Sequence, residues 1–259
     1  MKLLGILGYP LSHSHSPAMI NRLARSKNWD CNYDPFSIAP GDLKHFVASV
    51  KTLPIHGLNV TIPHKQAILP FCDEFAPEVQ AIRAANTILN KDGRLAAFNT
   101  DVTGFLVGLK ELADDPTSLH RAVILGAGGA ARAVAYALTQ SGCRDLAIII
   151  RNPERENEWR RDFVSIFPMA RVSFSRWDEK DLARTVAEAN LIVQATPVGT
   201  FPKDDETVPF LFESLTEDHL VYDLVYNPAK TKFLQQAEKQ GAIIQNGLAM
   251  LAAQAAKSL

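Results

Sequence analysis

Lys65 and Asp101 carry the chemistry that the rest of the chain must serve. Lys65 closes the string Asn59-Val60-Thr61-Ile62-Pro63-His64-Lys65 and Asp101 closes Asn99-Thr100-Asp101, an ammonium and a carboxylate each preceded by neutral hydrogen-bonding side chains. Downstream lies a glycine-rich turn, Gly126-Ala127-Gly128-Gly129-Ala130-Ala131. An acid-base pair upstream of a dinucleotide turn implies proton transfer coupled to hydride transfer, the work of a dehydrogenase. Lys65 follows Pro63 at the opening of an expected helix, where the macrodipole disfavours a cation, so its place argues for chemistry over solvation. Asp101 follows a strand and starts a helix, a position that an ordinary N-cap would also fill.

The turn matches G-x-G-x-x-A, with an apolar strand before it and a helix-forming run after it. That context lets a backbone free of side chains approach a pyrophosphate at the positive end of a helix, which assigns Gly126, Ala127, Gly128, Gly129 and Ala130 to a nucleotide. An NAD site usually carries an acidic residue at the end of the next strand. Here Arg151 stands there, with Arg155 one helical turn on. A guanidinium in that place reads a 2′-phosphate in fork geometry, which favours NADP over the alternative that both arginines are simply solvated surface groups. In Ser12-His13-Ser14-His15-Ser16-Pro17 the hydroxyls alternate where a helix begins, and Ser14 and Ser16 could hold a small carboxylate. Ser16 alone could also be an N-cap before Pro17. His13 and His15, two apart with no carboxylate near them in sequence, read as packing or surface residues, and no metal site is expected. Asn59, Thr61, Asn86 and Asn99 at strand ends suit a polyol, though each alone would pass as a turn residue.

Positioning these groups takes two domains. The chain has 259 residues, 47% of them hydrophobic, enough for real cores. With 27 Lys and Arg against 28 Asp and Glu, no basic field for nucleic acid or an anionic membrane exists, and a small-molecule substrate is expected. Cys31, Cys72 and Cys143 are odd in number and scattered, so reduced thiols are expected. No apolar run reaches membrane-spanning length and Pro10 interrupts the N-terminal apolar stretch early, so a cytoplasmic protein is expected, as a monomer or homodimer.

Apolar patterning predicts strands at 3–7, 31–38, 57–62, 85–89 and 94–98, with helices at 17–26, 41–50 and 77–83 and a hairpin turn at 90–93. A helix over 102–112 ends at Asp114-Asp115-Pro116-Thr117. Strands at 122–125, 146–150, 172–174, 191–194, 220–224 and 242–244 then alternate with helices, including 128–139 and 154–166, as in a parallel Rossmann-like sheet. The alanine-rich helix 247–257 is expected to return to the first domain. The expected class is α/β in two domains: 1–103, completed by 247–259, for substrate, and 104–246 for the dinucleotide.

From Gly8 to Gln254 the chain resembles the shikimate dehydrogenase family, six motifs falling in family order: Ser14-His15-Ser16-Pro17, Asn59 to Lys65, Ala85-Asn86-Thr87, Asn99-Thr100-Asp101, the glycine turn, and Asn246-Gly247 through Met250-Leu251 to Gln254. The resemblance implies NADP-linked interconversion of 3-dehydroshikimate and shikimate. It implies that Ser14 and Ser16 hold the substrate carboxylate, that Thr61, Asn86, Asp101 and Gln254 meet its hydroxyls, and that Lys65 exchanges the proton at the reacting oxygen with Asp101 as partner. It also implies that Tyr226, in Asp223-Leu224-Val225-Tyr226-Asn227-Pro228, lines the site, and that Leu224 and Gly247 lie against the cofactor. The chain departs from the family pattern at Ile150-Arg151-Asn152, where Asn-Arg-Thr is common, and at Pro77, where many relatives carry an acid. Alternatives are a quinate/shikimate dehydrogenase with broader substrate and NAD use, and a non-catalytic shikimate-sensing regulator on the same scaffold.

Overall fold

The computed structural model describes residues 1–12, 14–113, 115–164, 170–177 and 181–259. His13, Asp114 and the far end of the helix expected to reach Ile166 lie outside the described residues. The chain forms two compact units, Met1–Thr100 and Asp101–Lys257.

In the first unit β1 (Lys2–Gly8), α1 (Ser16–Ser26), β2 (Cys31–Ser37), α2 (Leu43–Thr52) and β3 (Ile55–Val60) are followed by a short α3 (His64–Ala67). Then come β4 (Glu74–Phe75), α4 (Pro77–Ile82) and the hairpin β5 (Thr87–Lys91) with β6 (Arg94–Phe98). The strands order as β2-β1-β3-β5-β6-β4. β1 pairs parallel with β2 and β3, and the hairpin joins antiparallel. Asp92 and Gly93 take φ of 53° and 89° in its two-residue turn, the left-handed pair that matches strand twist. Neighbours on β1 face opposite ways: Leu7 packs with Leu58, Val60, Ile88 and Leu95, and Ile6 with Leu11, Ile20 and Tyr33.

The second unit runs α5 (Asp101–Leu112), β7 (Arg121–Leu125), α6 (Gly129–Gln140), β8 (Asp145–Ile150) and α7 (Glu154–Trp159). A π-helical turn (Arg160–Val164) continues α7, and β9 (Arg171–Arg176), α8 (Leu182–Ala187), β10 (Leu191–Gln194) and β11 (Leu220–Asp223) follow. The unit closes with α9 (Lys232–Lys239), β12 (Ile243–Gln245) and α10 (Leu248–Ser258). Its sheet, β12-β11-β10-β7-β8-β9, is parallel throughout, the doubly wound order whose switch point falls between β10 and β7. Both faces are covered, as the continuous apolar strands require. Ala122 and Ile124 join one core with Val134, Leu138 and Phe105; Val123 and Leu125 join the other with Ile192, Val221 and Phe233.

The two compact units divide at 100/101, and α10 is grouped with the second up to Lys257. The reason is α5: a Cβ on Gly104 would meet Met250 O at 2.7 Å and Gln254 Cβ at 2.9 Å, so glycine there lets α10 lie close against α5. One turn on, a Cβ on Gly108 would collide with the Tyr222 hydroxyl. Finally, α1 begins one residue early, with His15 at the cap position and Ser16 inside the first turn, so Ser16 is not the N-cap.

Candidate active site

In the first unit the polar strings converge through hydrogen bonds at the ends of β3, β5 and β6. Ala85 N–H donates to Lys65 O at 2.8 Å, joining α3 to the segment before β5. The next residue, Asn86, is buried; its Oδ1 accepts from Thr100 N–H at 2.8 Å and its Nδ2 donates to Thr100 Oγ1 at 2.9 Å. Asn99 Nδ2 donates to Ala84 O at 2.9 Å, and Asn99 N–H donates to Glu78 Oε1 at 3.2 Å. A carboxylate therefore stands beside this segment although position 77 is proline. Each buried amide is matched by partners, as the cost of leaving one unpaired demands.

Lys65 is half-buried as the second residue of α3, in the helix opening expected of it. The preceding His64 is buried, and its ring Nε2 lies 2.7 Å from Ile38 O, pinning the helix start. Thr61 sits just past β3, its N–H on Leu7 O at 2.8 Å, and its methyl occupies the space that a Cβ on Gly8 would need. Asn59 is held by protein groups: Tyr33 Oη donates to its Oδ1 at 2.8 Å, and its Nδ2 reaches Thr87 Oγ1 at 3.3 Å. Ser14 and Ser16 are half-buried at the start of α1, and neither hydroxyl has a hydrogen-bond partner among the described residues. Ser16 is therefore not spent on capping α1.

Asp101, the first residue of the second unit, is 4% exposed and opens α5. Gln254 lies on α10, against Gly104. Tyr226, beyond β11, is half-buried, and burial raises its hydroxyl pKa.

The glycine turn follows β7 at the switch point. Gly126 has φ of 111°, and a Cβ there would meet Thr196 Cγ2 at 2.9 Å, so the turn needs glycine both for its backbone and for the closeness of the loop after β10. Gly128 caps α6 and has open space where a Cβ would be. This bare helix start fits a dinucleotide phosphate. A Cβ on Gly247 would run into the Leu224 carbonyl, and Gly247 N–H donates to Val225 O at 3.0 Å, so these two positions are locked together. Arg151, one residue past β8, is exposed and has no ion-pair partner among the described residues. Arg155 instead pairs with Glu158 at 2.7 Å.

Sequence reasoning missed a network beneath the β10 and β11 loops. Asp223, fully buried, accepts from Thr231 Oγ1 at 2.6 Å, Val225 N–H at 3.0 Å and Gln194 Nε2 at 3.3 Å. Gln194 Oε1 in turn accepts from Thr196 N–H at 2.6 Å and Thr196 Oγ1 at 2.7 Å. Burial pushes the Asp223 carboxyl up to about 6 against the opposing Thr231 and Val225 hydrogen bonds. An acid and an amide closing two apolar strands were the available signal.

A doubly wound sheet with a bare glycine turn at its switch point, attached to a mixed α/β unit rich in buried amides, defines a dinucleotide-linked oxidoreductase. Residues 6–88 match the family model of the shikimate dehydrogenase substrate binding domain. The NADP(+) shikimate dehydrogenase of Desulforamulus reducens is 42% identical over 96% of this chain and 86% of its own length. The Thermus thermophilus shikimate 5-dehydrogenase, solved with NADP(H) and shikimate, superposes with a TM-score of 0.84 at 35% identity, covering all of this chain and 92% of that one. A Corynebacterium glutamicum quinate dehydrogenase solved with NAD reaches 0.87 at 30% identity, covering 99% and 92%. The chain belongs to the shikimate dehydrogenase family. Among the described residues no helix is long and apolar enough to cross a membrane.

Proposed function

We propose that the chain catalyses the reversible NADP-linked reduction of 3-dehydroshikimate to shikimate, a step toward chorismate and the aromatic amino acids. The observation that carries this reading, in a member of this family, is the hydrogen-bonded path from Lys65 through Ala85 and Asn86 to Thr100, whose next residue is Asp101. NADPH, when bound, supplies a hydride to the ring carbonyl carbon. Lys65 gives the proton to the carbonyl oxygen, completing the alcohol, and takes it back in the reverse direction, with Asp101 as its carboxylate partner. Ser14 and Ser16 bind the substrate carboxylate, a role supported by hydroxyls that have no hydrogen-bond partner among the described residues. Thr61, Asn86, Asp101 and Gln254 meet the ring hydroxyls and Tyr226 lines the site. Asn59, already held by Tyr33 and Thr87, would act by shaping the β3 end.

The second unit is the cofactor domain in this reading. Gly126 to Ala130 receive the pyrophosphate, Leu224 and Gly247 form the wall locked behind the cofactor, and Arg151 meets the 2′-phosphate. Arg155 would have to leave Glu158 to join it. The protein is expected to work in the cytoplasm, as a monomer or homodimer.

The likeness to a quinate dehydrogenase solved with NAD supports a second reading, broader substrate and NAD use. Assaying shikimate and quinate, each with NADP and NAD, at the nicotinamide absorbance separates the two. Turnover should be far highest with shikimate and NADP; equal rates with quinate and NAD would replace the first reading with the second, and no turnover at all would leave a sensing scaffold.

A further inference from the structure

Arg132, the fourth residue of α6, directly after the glycine turn, is a whole guanidinium buried in the second unit. Its carbon lies 5.3 Å from the centre of the Trp159 ring, over its face, and its Nη2 is 3.6 Å from Asp162 on the π-helical turn. Burial lowers its pKa, opposed first by Asp162 and then by Glu158. A cation near a helix N-terminus is disfavoured by the dipole, and a buried one by desolvation, so a methionine of similar length would be expected unless the charge does something.

What it does follows from its neighbour. Trp159, itself fully buried and flanked by Phe163 and Phe174, donates its indole N–H to Ala127 O at 3.1 Å. In a trans peptide the carbonyl and the following N–H point in opposite directions. With Ala127 C=O aimed at the indole, Gly128 N–H is therefore turned away from it. Gly126 N–H is tied back to Ile149 O at 2.9 Å and Gly128 O accepts from Arg132 N–H at 3.1 Å, so Gly126, Ala127 and Gly128 are each anchored by a backbone group. The cation over the ring fixes the plane of the indole and thus the direction of its N–H.

We infer that Arg132 and Trp159 are positioning residues that hold the Gly128 amide toward the bound dinucleotide phosphate and tie that turn to α7, the helix carrying Arg155; the inference rests on the cofactor reading above. Because the pyrophosphate is common to both dinucleotides, the brace serves NADP and NAD alike, unlike Arg151.

The test is cofactor binding by titration calorimetry with steady-state kinetics on Trp159→Phe, which keeps a ring under the guanidinium but deletes the N–H donor. The dissociation constants of NADP and NAD should rise together by about three- to tenfold, the range for one lost hydrogen bond, with kcat at saturating cofactor and KM for shikimate unchanged. Arg132→Met should act in the same direction and Arg132→Lys should recover part of the loss. Wild-type affinity for both cofactors in folded Trp159→Phe, or a loss of kcat at unchanged cofactor affinity, would show a core-filling pair and overturn the inference. Wild-type protein that binds neither cofactor would overturn the cofactor reading itself, and the brace with it.

Discussion

The two units solve recognition in opposite ways. In the first, the site is made of side chains that fix one another: Asn86 holds Thr100, Asn99 holds Ala84, and Tyr33 holds Asn59. In the second, the proposed phosphate site is mostly backbone, a turn in which a Cβ on Gly128 would meet nothing within 4 Å. A polyol must be told from its epimers, which takes directed donors and acceptors; a pyrophosphate needs only amides and a helix end. Substitutions should therefore be sharply divided in effect between the units.

Lys65→Ala should give the largest break, lowering kcat by about two to four orders of magnitude while NADP binding, measured by calorimetry, stays as in wild type. Near-normal turnover in the folded variant would remove Lys65 from the chemistry.

Asp223 tests whether the contrast is complete, since it centres a buried side-chain network in the otherwise backbone-based unit. Its folded pKa, about 6, lies above the ordinary carboxylate value, so the fold favours its protonated form. That contribution is fully present below about pH 4 and is lost as pH rises through about 6. Asp223→Asn cannot ionise and should gain on wild type by at most about 3 kcal/mol between pH 4 and 7 in urea unfolding. A stability difference independent of pH would show that folding leaves the pKa of this carboxyl where it is in the unfolded chain.

Ser14→Ala and Ser16→Ala should each weaken shikimate binding by about 1.5–3 kcal/mol without touching NADP. The methyl ester of shikimate should bind poorly to wild type and lose little more in either variant. If ester and acid respond equally, the carboxylate is read elsewhere.

Arg151→Ala, in the other unit, should cost about 1–3 kcal/mol of NADP-over-NAD selectivity and leave shikimate affinity alone. Equal changes in the two cofactors' KM would show that another group discriminates between them.

The second unit was the more legible of the two, because a parallel sheet buried on both faces writes its strands as unbroken apolar runs such as Ala147-Ile148-Ile149-Ile150. The chemistry-bearing strings of the first unit could be read locally, since each lies within seven residues, Asn59 to Lys65 being the longest. Their meeting could not, because Asn86 and Thr100 find each other through sheet pairing. β4, two residues at a sheet edge, is too short to show periodicity, and α8 is only six residues long. The one-residue error at Ser16 came from taking a good capping residue before proline as the cap itself, whereas His15 holds that position without a side-chain capping bond. Trp159 and Ala127, 32 residues apart, carry no sequence sign of their contact.

Gly104 and Gly108, one turn apart on α5, bear on how this enzyme could be made hardier. Replacing helical glycine with alanine is a standard route to thermostability, worth about 1 kcal/mol per position through the unfolded chain and helix propensity. On α5 the route is closed, since the added methyl at one site strikes the Met250 carbonyl and at the other the Tyr222 hydroxyl. Engineers would do better to leave this face bare and look for their gain on helices whose glycines face water.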